Sequence, residues 1–472
     1  MHEECGICGI SKDNAQEELY KMLIQMQHRG QVSAGITVFK KNQDFLLKTY
    51  KDLGLVSRVF KSEHKEKFTT LMNQLSSNKG IGHVRYSTCG VDKREYAQPF
   101  EHFHGKKNRW FSISFNGNIA NYDELKTKLE NENYHFVRKT DTELILVLLA
   151  KLIKKGKTLV ESFRELSEII DGAYNIAVID AEGTIACFRD KLGLKPLSYS
   201  YEEGNFAFAS ESVALQSIGF KEIKDLPPGK IAIFKNDKLE ILEVNKSEKK
   251  AHCFFEWIYF AHAASKMDGQ IVYNARYALG EELAKTETEN LCDAIVVPVP
   301  DSSTPCGSGF ARKLNLPVFE GLIRNRYLGR TFIESNGRGE KVKAKFTVIK
   351  EIFEGKKVFL IEDSIVRGTT LKNLIEYIKK ANPKEIHVRV SSPPIISPCY
   401  YGIDMSAKKE LIAVNKTEKD IAKEIGATTV KYQTIKGLTN ALNASNGDLC
   451  LACINGEYPT PAGERRIKND KN

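Results

Sequence analysis

The 472-residue sequence has no long hydrophobic run. Its longest apolar stretch, LILVLLA at 144–150, stops at Lys151 and is far shorter than the ~20 residues that a membrane-spanning helix needs. The N-terminus also lacks a basic segment followed by an apolar one, so no secretory signal peptide is predicted. We therefore expect a cytoplasmic protein whose 10 cysteines are mostly thiols or metal ligands rather than disulfides.

Internal repeats, low-complexity tracts and a basic stripe interleaved with aromatic residues are also missing, which argues against a nucleic-acid-binding protein. The net charge of +10 comes largely from lysines scattered among Asn and Glu. It indicates either an ordinary solvated surface or the attraction of an anionic substrate. A hydrophobic fraction of 42% and a charged fraction of 28% are typical of a globular protein, and the length predicts two or three domains.

The first 240 residues or so predict many short strands and a few helices. A capping-box pattern of Asn14 and Glu17 begins a predicted helix that ends at Gly30. RWFSISFNGN (109–118) predicts a strand that turns at Asn-Gly, and KDLPPGKIAIF (224–234) predicts the last strand of this region. The polar stretch EVNKSEKKAH (243–252) is the predicted domain boundary.

Beyond this boundary the pattern changes to that of an α/β domain. DAIVVPVP (293–300) and KKVFLIED (356–363) are continuous apolar runs, as expected of strands buried in a parallel sheet. TLKNLIEYIKKA (370–381) repeats its apolar residues at helical spacing, and EIHVRVSS (385–392) predicts another strand. The second half is therefore expected to hold a parallel sheet with helices.

The most specific stretch is VFLIEDSIVRGTTL (358–371), a buried strand, two acids and a loop that opens a helix. Open α/β sheets bind ligands at the carboxyl ends of their strands, and helix N-termini bind phosphate. Adjacent acids can bind ribose hydroxyls or hydrated Mg²⁺. On spacing alone, a helix cap with a solvated acid pair remains an alternative.

This stretch resembles the signature of the type I phosphoribosyltransferases, which bind phosphoribosyl pyrophosphate, usually with Mg²⁺. The resemblance implies that Glu362 and Asp363 hold the ribose and, with Ser302 in VPDSS (299–303), the metal ion. The residues that it assigns to the 5′-phosphate are Ser364, Ile365, Val366, Arg367, Gly368, Thr369 and Thr370.

A flexible lid is implied by the same resemblance. RNRYLGRTF (324–332) is similar to the segment of these enzymes that closes over the diphosphate and excludes water. The resemblance assigns Arg326, Tyr327 and Arg330 to that contact.

The first half resembles the class II glutamine amidotransferases, which are N-terminal-nucleophile (Ntn) hydrolases. The motifs that carry this resemblance are, in chain order, CGICGI, MQHRGQVSAGI, GHVRYST, FNGNIAN, TDTE and RDKLGLKPL. With the second half, residues 5–460 resemble the glutamine phosphoribosylpyrophosphate amidotransferase (amidophosphoribosyltransferase) family. The implied fold is an α+β Ntn glutaminase domain followed by an α/β type I phosphoribosyltransferase domain with a parallel sheet.

The resemblance implies a propeptide and a cysteine nucleophile. In this family the mature chain begins at the first cysteine, here Cys5, so residues 1–4 would be removed autocatalytically. A thiol of pKa about 8.5 needs a base, and an α-amine of pKa about 7.7–8.0 provides one near neutrality. Cys8 gives a C-x-x-C spacing that alone indicates a redox pair, half a metal site or neither; the family pattern makes it incidental.

The implied domains are 5–240 and 253–440, with a C-terminal segment at 441–472.

The charges of the glutamine substrate and of its reaction intermediate indicate which side chains would bind them. An oxyanion needs preorganised donors, which the Asn116 side chain and the Gly117 N–H provide, although Asn-Gly alone predicts a hairpin turn. Arg85 suits the α-carboxylate. Asp141 suits the α-ammonium, because Thr140 and Glu143 already form a capping box and would leave its carboxylate available. Arg29 is a further candidate that closes over the bound glutamine.

Four distant cysteines form a second candidate site. Spacing alone favours unrelated buried thiols at Cys253, Cys399, Cys450 and Cys453. Their contexts resemble the ligand segments of family members that carry a [4Fe–4S] cluster. Four thiolates can hold zinc or an iron–sulfur cluster, and the resemblance favours the cluster in a structural role.

The sequence departs from the family at two places. Glu362 replaces a more usual Asp in the acid pair, which changes the reach to ribose or metal. HAAS (262–265) replaces Arg-Pro-Asp-Ser near the domain junction and removes two charged groups, which puts in doubt how tightly the two sites communicate.

The resulting hypothesis is glutamine-dependent synthesis of 5-phosphoribosylamine, the first committed step of purine synthesis, with Mg²⁺ and a [4Fe–4S] cluster as cofactors. Its alternatives are another class II amidotransferase and a non-catalytic regulator with a phosphoribosyltransferase fold. The phosphate loop argues against the first alternative, and the intact nucleophile set argues against the second. The family also implies a homo-oligomer and purine nucleotides as feedback inhibitors.

Overall fold

The computed structural model describes residues 5–41, 46–86, 93–246, 249–325, 345–403, 405 and 407–469. Within these ranges, the first half of the chain builds two antiparallel sheets. Their strands are β1 Cys5–Ser11, β2 Ser33–Phe39, β3 Leu47–Leu53, β4 Lys79–Arg85, β5 Phe100–His102, β6 Phe111–Ile119, β7 Gly172–Asp180, β8 Ile185–Arg189, β9 Ser198–Glu202, β10 Asn205–Ala209, β11 Lys224–Asp225, β12 Lys230–Lys235 and β13 Lys238–Glu243.

The two sheets stack face to face and are covered by helices on their outer faces. One sheet has the order β11-β9-β10-β1-β4-β2-β3 and the other the order β13-β12-β8-β7-β6-β5. Apolar side chains such as Ile7, Ile81 and Ile179 fill the space between them. The helices are α1 Ala15–Gln25, α2 Val56–Val59, α3 Lys65–Gln74, α4 Tyr122–Asn131, α5 Asp141–Lys154, α6 Leu159–Ile169 and α7 Ser212–Gln216. This four-layer arrangement places β1, and with it Cys5, inside a sheet.

The second half is built around a parallel sheet of order β17-β20-β21-β22. Its strands, with the small sheets beside it, are β14 His252–Cys253, β15 Lys266–Met267, β16 Gln270–Ile271, β17 Ala294–Pro298, β18 Leu322–Arg324, β19 Phe346–Val348, β20 Lys357–Glu362, β21 Glu385–Val390, β22 Thr429–Tyr432 and β23 Leu449–Cys450. The helices are α8 Val272–Ala284, α9 Thr304–Leu314, α10 Lys350–Phe353, α11 Thr369–Lys379, α12 Glu418–Ile425, α13 Ile435–Ala441, α14 Ala452–Asn455 and α15 Pro461–Asn469.

Helices cover both faces of the parallel sheet. Phe310 and Leu279, from α9 and α8, pack on one face with Phe359 of β20. Leu374 and Ile421, from α11 and α12, pack on the other face. The predicted α/β organisation, the strands within 293–300, 356–363 and 385–392, and the helix within 370–381 are confirmed.

The C-terminal segment returns to both earlier regions. β23 pairs with β14 in parallel, so that Cys450 lies opposite Cys253. The backbone N–H of Ala462, in α15, donates to the Asp171 carboxylate of the first half. Among the described residues, no helix is long and apolar enough to cross a membrane.

The helix predicted after Asn14 is confirmed as α1, but its capping box is wrong. Asn14 has left-handed backbone angles (φ 56°, ψ 38°), and its side chain makes no capping hydrogen bond. A capping side chain normally sits on a residue in the β region, from which its oxygen reaches the free N–H groups. The region 224–234 contains β12, but β13 follows it as the second strand of a hairpin, so β12 is not the last strand.

The turn predicted at Asn116-Gly117 is also wrong. β6 continues through both residues to Ile119 and pairs with β7, where Asn116 lies opposite Asn175 and Gly117 opposite Tyr174. Glycine is needed here for close approach, because a Cβ on Gly117 would lie 2.0 Å from the carbonyl oxygen of Ala173. The dipeptide therefore reflects strand packing and not a hairpin loop.

Candidate active sites

Cys5 is the first residue of β1 and is completely buried. The antiparallel register places it opposite Arg85, the last residue of β4. Its carbonyl oxygen accepts a hydrogen bond from Nε of Arg29 at 3.1 Å. The candidate nucleophile and the candidate carboxylate-binding arginine are thus neighbours because two strand ends meet at one edge.

Arg85 is 3% exposed, and its guanidinium lies 5.4 Å from the Tyr96 ring centre. Among the described residues, its Nε and Nη1 have no hydrogen-bond partner. A buried charged donor without a partner is costly, and a carboxylate would satisfy a guanidinium with two parallel hydrogen bonds. The arrangement suits the α-carboxylate of an amino-acid ligand beside Cys5.

Asn116 is fully buried in β6. Its Nδ2 donates to Oγ of Ser210 at 3.4 Å, and within the described structure its Oδ1 has no partner. The same Ser210 hydroxyl accepts the N–H of Ile7 at 3.0 Å and so connects β6 with β1. The amide is held near the start of β1, and the sequence analysis did not identify Ser210 as its support.

Asp141 begins α5 and is buried. Oγ1 of Thr140 accepts the Glu143 N–H at 3.2 Å, as predicted, but the reciprocal half of the capping box is wrong. The Glu143 carboxylate instead accepts the N–H groups of 137–139. Oδ2 of Asp141 lies 3.4 Å from the N–H of Ile119, so Asp141 contacts the end of β6.

Arg29 is buried, and its guanidinium is held by two carboxylates. Nη1 donates to Glu211 at 2.6 Å, and Nη2 donates to Glu256 at 2.8 and 3.0 Å. With the Nε contact to Cys5, all three nitrogens of the guanidinium donate hydrogen bonds within the protein. The assignment of Arg29 to bound glutamine stays a prediction. The two glutamates were missed in the sequence analysis, because nothing in the SESVAL or FFEW segments indicates a shared partner.

In the second half, β20 ends at Glu362, and the following loop leads to α11 at Thr369. Gly368 has φ 74°, and a Cβ there would lie 2.3 Å from the Ile412 side chain, so the loop requires glycine.

Ile365 is buried in the core, and the Val366 carbonyl accepts the N–H of Ile412 at 2.9 Å. Arg367 pairs with Glu410 at 2.7 Å. The loop is therefore held in place by the core and by the segment at 410–412, while Thr369 and Thr370 are exposed.

The acid pair lies at the carboxyl end of the sheet. Oδ2 of Asp363 accepts the Ser302 hydroxyl at 2.5 Å, and Oδ1 accepts the Ser364 hydroxyl at 2.7 Å. Burial, reinforced by the charge of Asp363, raises the pKa of Glu362 well above its usual value. Burial also raises the pKa of Asp363, which the hydrogen bonds from Ser302 and Ser364 lower only in part. A bound cation would relieve both costs.

Ser302 and the acids predicted with it are thus brought together by adjacent parallel strands. Near them, Arg324 pairs with Asp301 at 2.7 Å. The predicted lid residues Arg326, Tyr327 and Arg330 lie outside the described residues, as do residues 1–4.

The four predicted cysteines line one small cavity of about 20 Å³, together with Lys195 and Tyr401. Burial raises the pKa of the Cys253 thiol to about 12, and it raises the pKa of the Cys450 and Cys453 thiols well above the ordinary value. The neighbouring cysteines add to each of these shifts. Within the described ranges, no three Cys, His, Asp or Glu side chains form a ready-made metal-binding group. The four thiols in this lining nevertheless fit a soft metal centre, which would stabilise the thiolates.

The other described cysteines differ in burial. Cys8, Cys187 and Cys306 are buried, whereas Cys292 is exposed. Cys89 lies outside the described residues. Burial raises the pKa of Cys8, which keeps its thiol neutral and sets it apart from a redox pair.

The first half stacks two antiparallel sheets and has a cysteine at the start of a strand. The second half has a parallel sheet with an acid pair and a phosphate-type loop. Together, these features define a class II glutamine amidotransferase fused to a type I phosphoribosyltransferase. The family model of the glutamine amidotransferase domain matches residues 83–217, and that of the phosphoribosyl transferase domain matches 270–393. The amidophosphoribosyltransferase of Methanothermobacter thermautotrophicus is 41% identical over 468 residues, which cover 98% of this chain and 95% of that protein. The chain belongs to the amidophosphoribosyltransferase family.

Two solved structures agree with this assignment. The glutamine phosphoribosylpyrophosphate amidotransferase of Bacillus subtilis, complexed with ADP and GMP, superposes with a TM-score of 0.87 at 33% identity, covering 97% of this chain and 98% of that one. A structure described as the allosteric regulatory enzyme of purine biosynthesis gives a TM-score of 0.88 at 33% identity, with 97% of both chains covered. The predicted fold class is confirmed over nearly the whole length.

Proposed function

We propose how the reaction of this family is divided between the two sites. An amidophosphoribosyltransferase converts glutamine, phosphoribosyl pyrophosphate and water into 5-phosphoribosylamine, glutamate and pyrophosphate. The observation that carries the proposal is the presence in one chain of two features. Cys5 lies opposite the buried Arg85, whose Nε and Nη1 have no hydrogen-bond partner among the described residues, and Asp363 lies beside a phosphate-type loop. Neither alternative, another class II amidotransferase or a non-catalytic regulator, uses both sites.

In the glutaminase site, Cys5 attacks the side-chain amide of glutamine. Removal of residues 1–4 would give Cys5 its α-amine, which takes the thiol proton and then delivers it to the leaving ammonia. Arg85 binds the α-carboxylate through its unpartnered donors, and Asp141 binds the α-ammonium. Water then hydrolyses the glutamyl thioester and releases glutamate.

The tetrahedral intermediate of this step carries an oxyanion. Nδ2 of Asn116 and the backbone N–H of Gly117 are the proposed donors, and both belong to β6 in the sheet behind Cys5. Ser210 keeps the Asn116 amide group in place. Because these donors are fixed before the substrate binds, little reorganisation accompanies the reaction.

In the second site, the loop 364–370 binds the 5′-phosphate at the N-terminus of α11. Glu362 and Asp363 bind the ribose hydroxyls, and with Ser302 they would hold Mg²⁺, which offsets the charge of the departing pyrophosphate. Ammonia from the first site displaces that pyrophosphate at C1 of the ribose. A closed path between the sites would keep the ammonia from water.

The four cysteines would hold a [4Fe–4S] cluster with a structural role. The support is a cavity whose lining includes all four thiols, which come from three chain segments that are far apart in sequence. The parallel pairing of β14 with β23 means that the cluster would tie the chain end to the segment following the predicted boundary. A tetrahedral zinc site is the competing occupant.

Regulation and assembly are further parts of the proposal. The related Bacillus subtilis enzyme was solved with ADP and GMP, which supports purine nucleotides as inhibitors of this chain. The family also supports a homo-oligomer.

One assay tests the proposed reaction. Purified enzyme is incubated with glutamine and Mg²⁺, with and without phosphoribosyl pyrophosphate, and both glutamate and pyrophosphate are measured. We expect equimolar release of the two products when both substrates are present. Glutamate release without pyrophosphate, under all substrate conditions, would indicate another class II amidotransferase. Release of neither product would favour the regulator.

A further inference from the structure

The strand β6 carries both proposed oxyanion donors, and its peptide groups face two sides. In an antiparallel strand, the N–H and C=O of one residue point to the same side, and successive residues alternate. The N–H of Ala120 donates to the carbonyl oxygen of Asp171, just before β7, so the even-numbered residues of β6, including Asn116, face β7. The backbone groups of Phe115 and Gly117 therefore face the other side of the strand.

On that side, two side chains take the place of a partner strand at Phe115. The strand β5 pairs with β6 only from Phe111 to Ile113. Beyond this point, the Phe115 N–H donates to Oε1 of Gln98 at 2.8 Å, and Nε2 of His83 donates to the Phe115 carbonyl oxygen at 3.0 Å. Both side chains belong to residues that are at least 99% buried. The two polar groups of Phe115 are thus held by residues from two separate segments.

The contacts of His83 determine its tautomer. A carbonyl oxygen only accepts hydrogen bonds, so Nε2 carries the ring proton. Nδ1 is buried and has no hydrogen-bond partner among the described residues. Burial lowers the pKa of His83 to about 3, so the ring is neutral near neutral pH. His83 is therefore a fixed hydrogen-bond donor and not a general base.

His83 reaches β6 from the opposite sheet. It lies in β4, two residues after Ile81, whose side chain packs in the core between the two sheets. Side chains alternate along a strand, so His83 and Arg85 point into the same space between the sheets. The strand β4 thus provides both the proposed contact to the substrate carboxylate and a hydrogen bond that holds β6 just before Asn116.

We propose that His83 and Gln98 are positioning residues for the oxyanion donors of the glutaminase site. The peptide group between Phe115 and Asn116 is planar, so the hydrogen bond from His83 to its oxygen fixes the whole group. This orientation sets the direction in which the Asn116 side chain leaves the strand. The N–H of Gly117 faces the same side as that of Phe115 and is oriented by the same two contacts. The inference rests on the proposed oxyanion role of Asn116 and Gly117.

The test compares two substitutions of similar shape, with glutamine hydrolysis measured in the presence of phosphoribosyl pyrophosphate and Mg²⁺. His83→Met removes the donor, whereas His83→Gln keeps an N–H group near the position of Nε2. His83→Met should lower kcat by about 10-fold or more, because displaced donors stabilise the oxyanion less. The KM for glutamine should not change, since the contact acts only as the oxyanion forms. His83→Gln should recover most of the lost kcat.

The matched control is Thr37→Val. Oγ1 of Thr37, in β2, lies 2.9 Å from Oγ of Ser112 in β6, so this buried hydrogen bond also joins the two sheets. Thr37→Val removes the hydroxyl and keeps the shape, and it should lower the thermal stability without changing kcat. Inhibition by glutamate, a product without an oxyanion, and synthesis from ammonia should remain unchanged in the His83 variants.

Three results would overturn the proposal: an unchanged kcat in His83→Met, an equal loss of kcat in both His83 variants, or an equal loss in Thr37→Val. If His83→Met does not fold, as judged by thermal unfolding, Gln98→Met removes the other contact to Phe115 and should lower kcat in the same way.

Asn116→Ala separates this inference from the proposed function. A lowered kcat in Asn116→Ala together with an unchanged kcat in His83→Met refutes the positioning role alone. An unchanged kcat in Asn116→Ala refutes the proposed oxyanion role, and an unmodified enzyme that does not hydrolyse glutamine refutes the proposed glutaminase site.

Discussion

The Ser302 hydroxyl donates to Oδ2 of Asp363 at 2.5 Å, although 61 residues separate them in the chain. Ser302 follows β17 and Asp363 follows β20, and these two parallel strands are direct neighbours in the sheet. The carboxyl ends of neighbouring parallel strands meet at one edge, where α/β proteins bind their ligands. This hydrogen bond therefore lies at the centre of the proposed phosphoribosyl pyrophosphate site.

The two half-reactions should respond differently to substitutions at their own centres. Asp363→Asn should slow synthesis from glutamine and from ammonia alike, by about 10²-fold or more, because both routes need the bound ribose. Cys5→Ala should abolish the use of glutamine and leave synthesis from high ammonia largely intact. Both rates are read from phosphoribosylamine formation. Loss of the ammonia route in a folded Cys5→Ala protein would contradict the division into two sites.

Arg85→Met should separate glutamine binding from stability. Removal of the guanidinium should raise the KM for glutamine by about 30-fold or more, since losing one partner of a buried charge pair costs about 2 kcal/mol at least. The ammonia route should not change. Because Nε and Nη1 of Arg85 have no hydrogen-bond partner among the described residues, the thermal stability of the ligand-free variant should not fall. Arg85→Lys serves as the matched control and should be intermediate in KM. A KM unchanged in Arg85→Met would exclude the carboxylate contact.

Processing should be visible in the mass of the active enzyme. The α-amine mechanism requires Cys5 to be the first residue, so the purified active protein should lack Met-His-Glu-Glu. Intact-mass measurement and N-terminal sequencing check this. A Cys5→Ala chain should retain the four residues if the thiol performs the cleavage. Full activity in a chain that still begins at Met1 would rule the mechanism out.

The pH dependence of stability should depend on Glu287. Burial opposes ionisation of this carboxyl, but the bonds from Arg389 lower its pKa from 4.5 to about 2. A carboxyl with a lowered pKa in the folded state stabilises the fold above the unfolded pKa, and this contribution is lost as the pH falls through the folded value. Between pH 4.5 and 2, the unmodified protein should therefore lose more stability than Glu287→Gln, as measured by chemical denaturation. Parallel losses in the two proteins would contradict the pairing.

The metal content tests the cysteine site. Anaerobically purified protein should be brown and contain about four iron and four acid-labile sulfide per chain. Cys399→Ser should lose both and lower the thermal stability, whereas the buried Cys187→Ser, in the first half, should keep the metal. Oxygen should bleach and destabilise the protein together. Zinc without sulfide would refute the cluster and leave the amidotransferase assignment unaffected.

The sequence by itself determined those features whose physics is local. The apolar run before Glu362, the acids and Gly368 lie within one short segment, where strand burial, charge and a positive φ can be inferred from neighbouring residues. The same holds for α1 and α11, whose apolar residues repeat at helical spacing. Resemblance to known families added the nucleophile and the four cysteines.

Only the tertiary structure decided the partners that lie far apart in sequence. Gly117 is a glycine because the carbonyl of Ala173 approaches it, and local sequence predicted a turn there instead. Arg29 has Glu211 and Glu256 as partners, which are 182 and 227 residues away. A buried charged side chain pairs with the opposite charge that the packing brings close to it. Which charge that is depends on the order of the strands and on how the two halves pack together. Local sequence patterns contain no information about either.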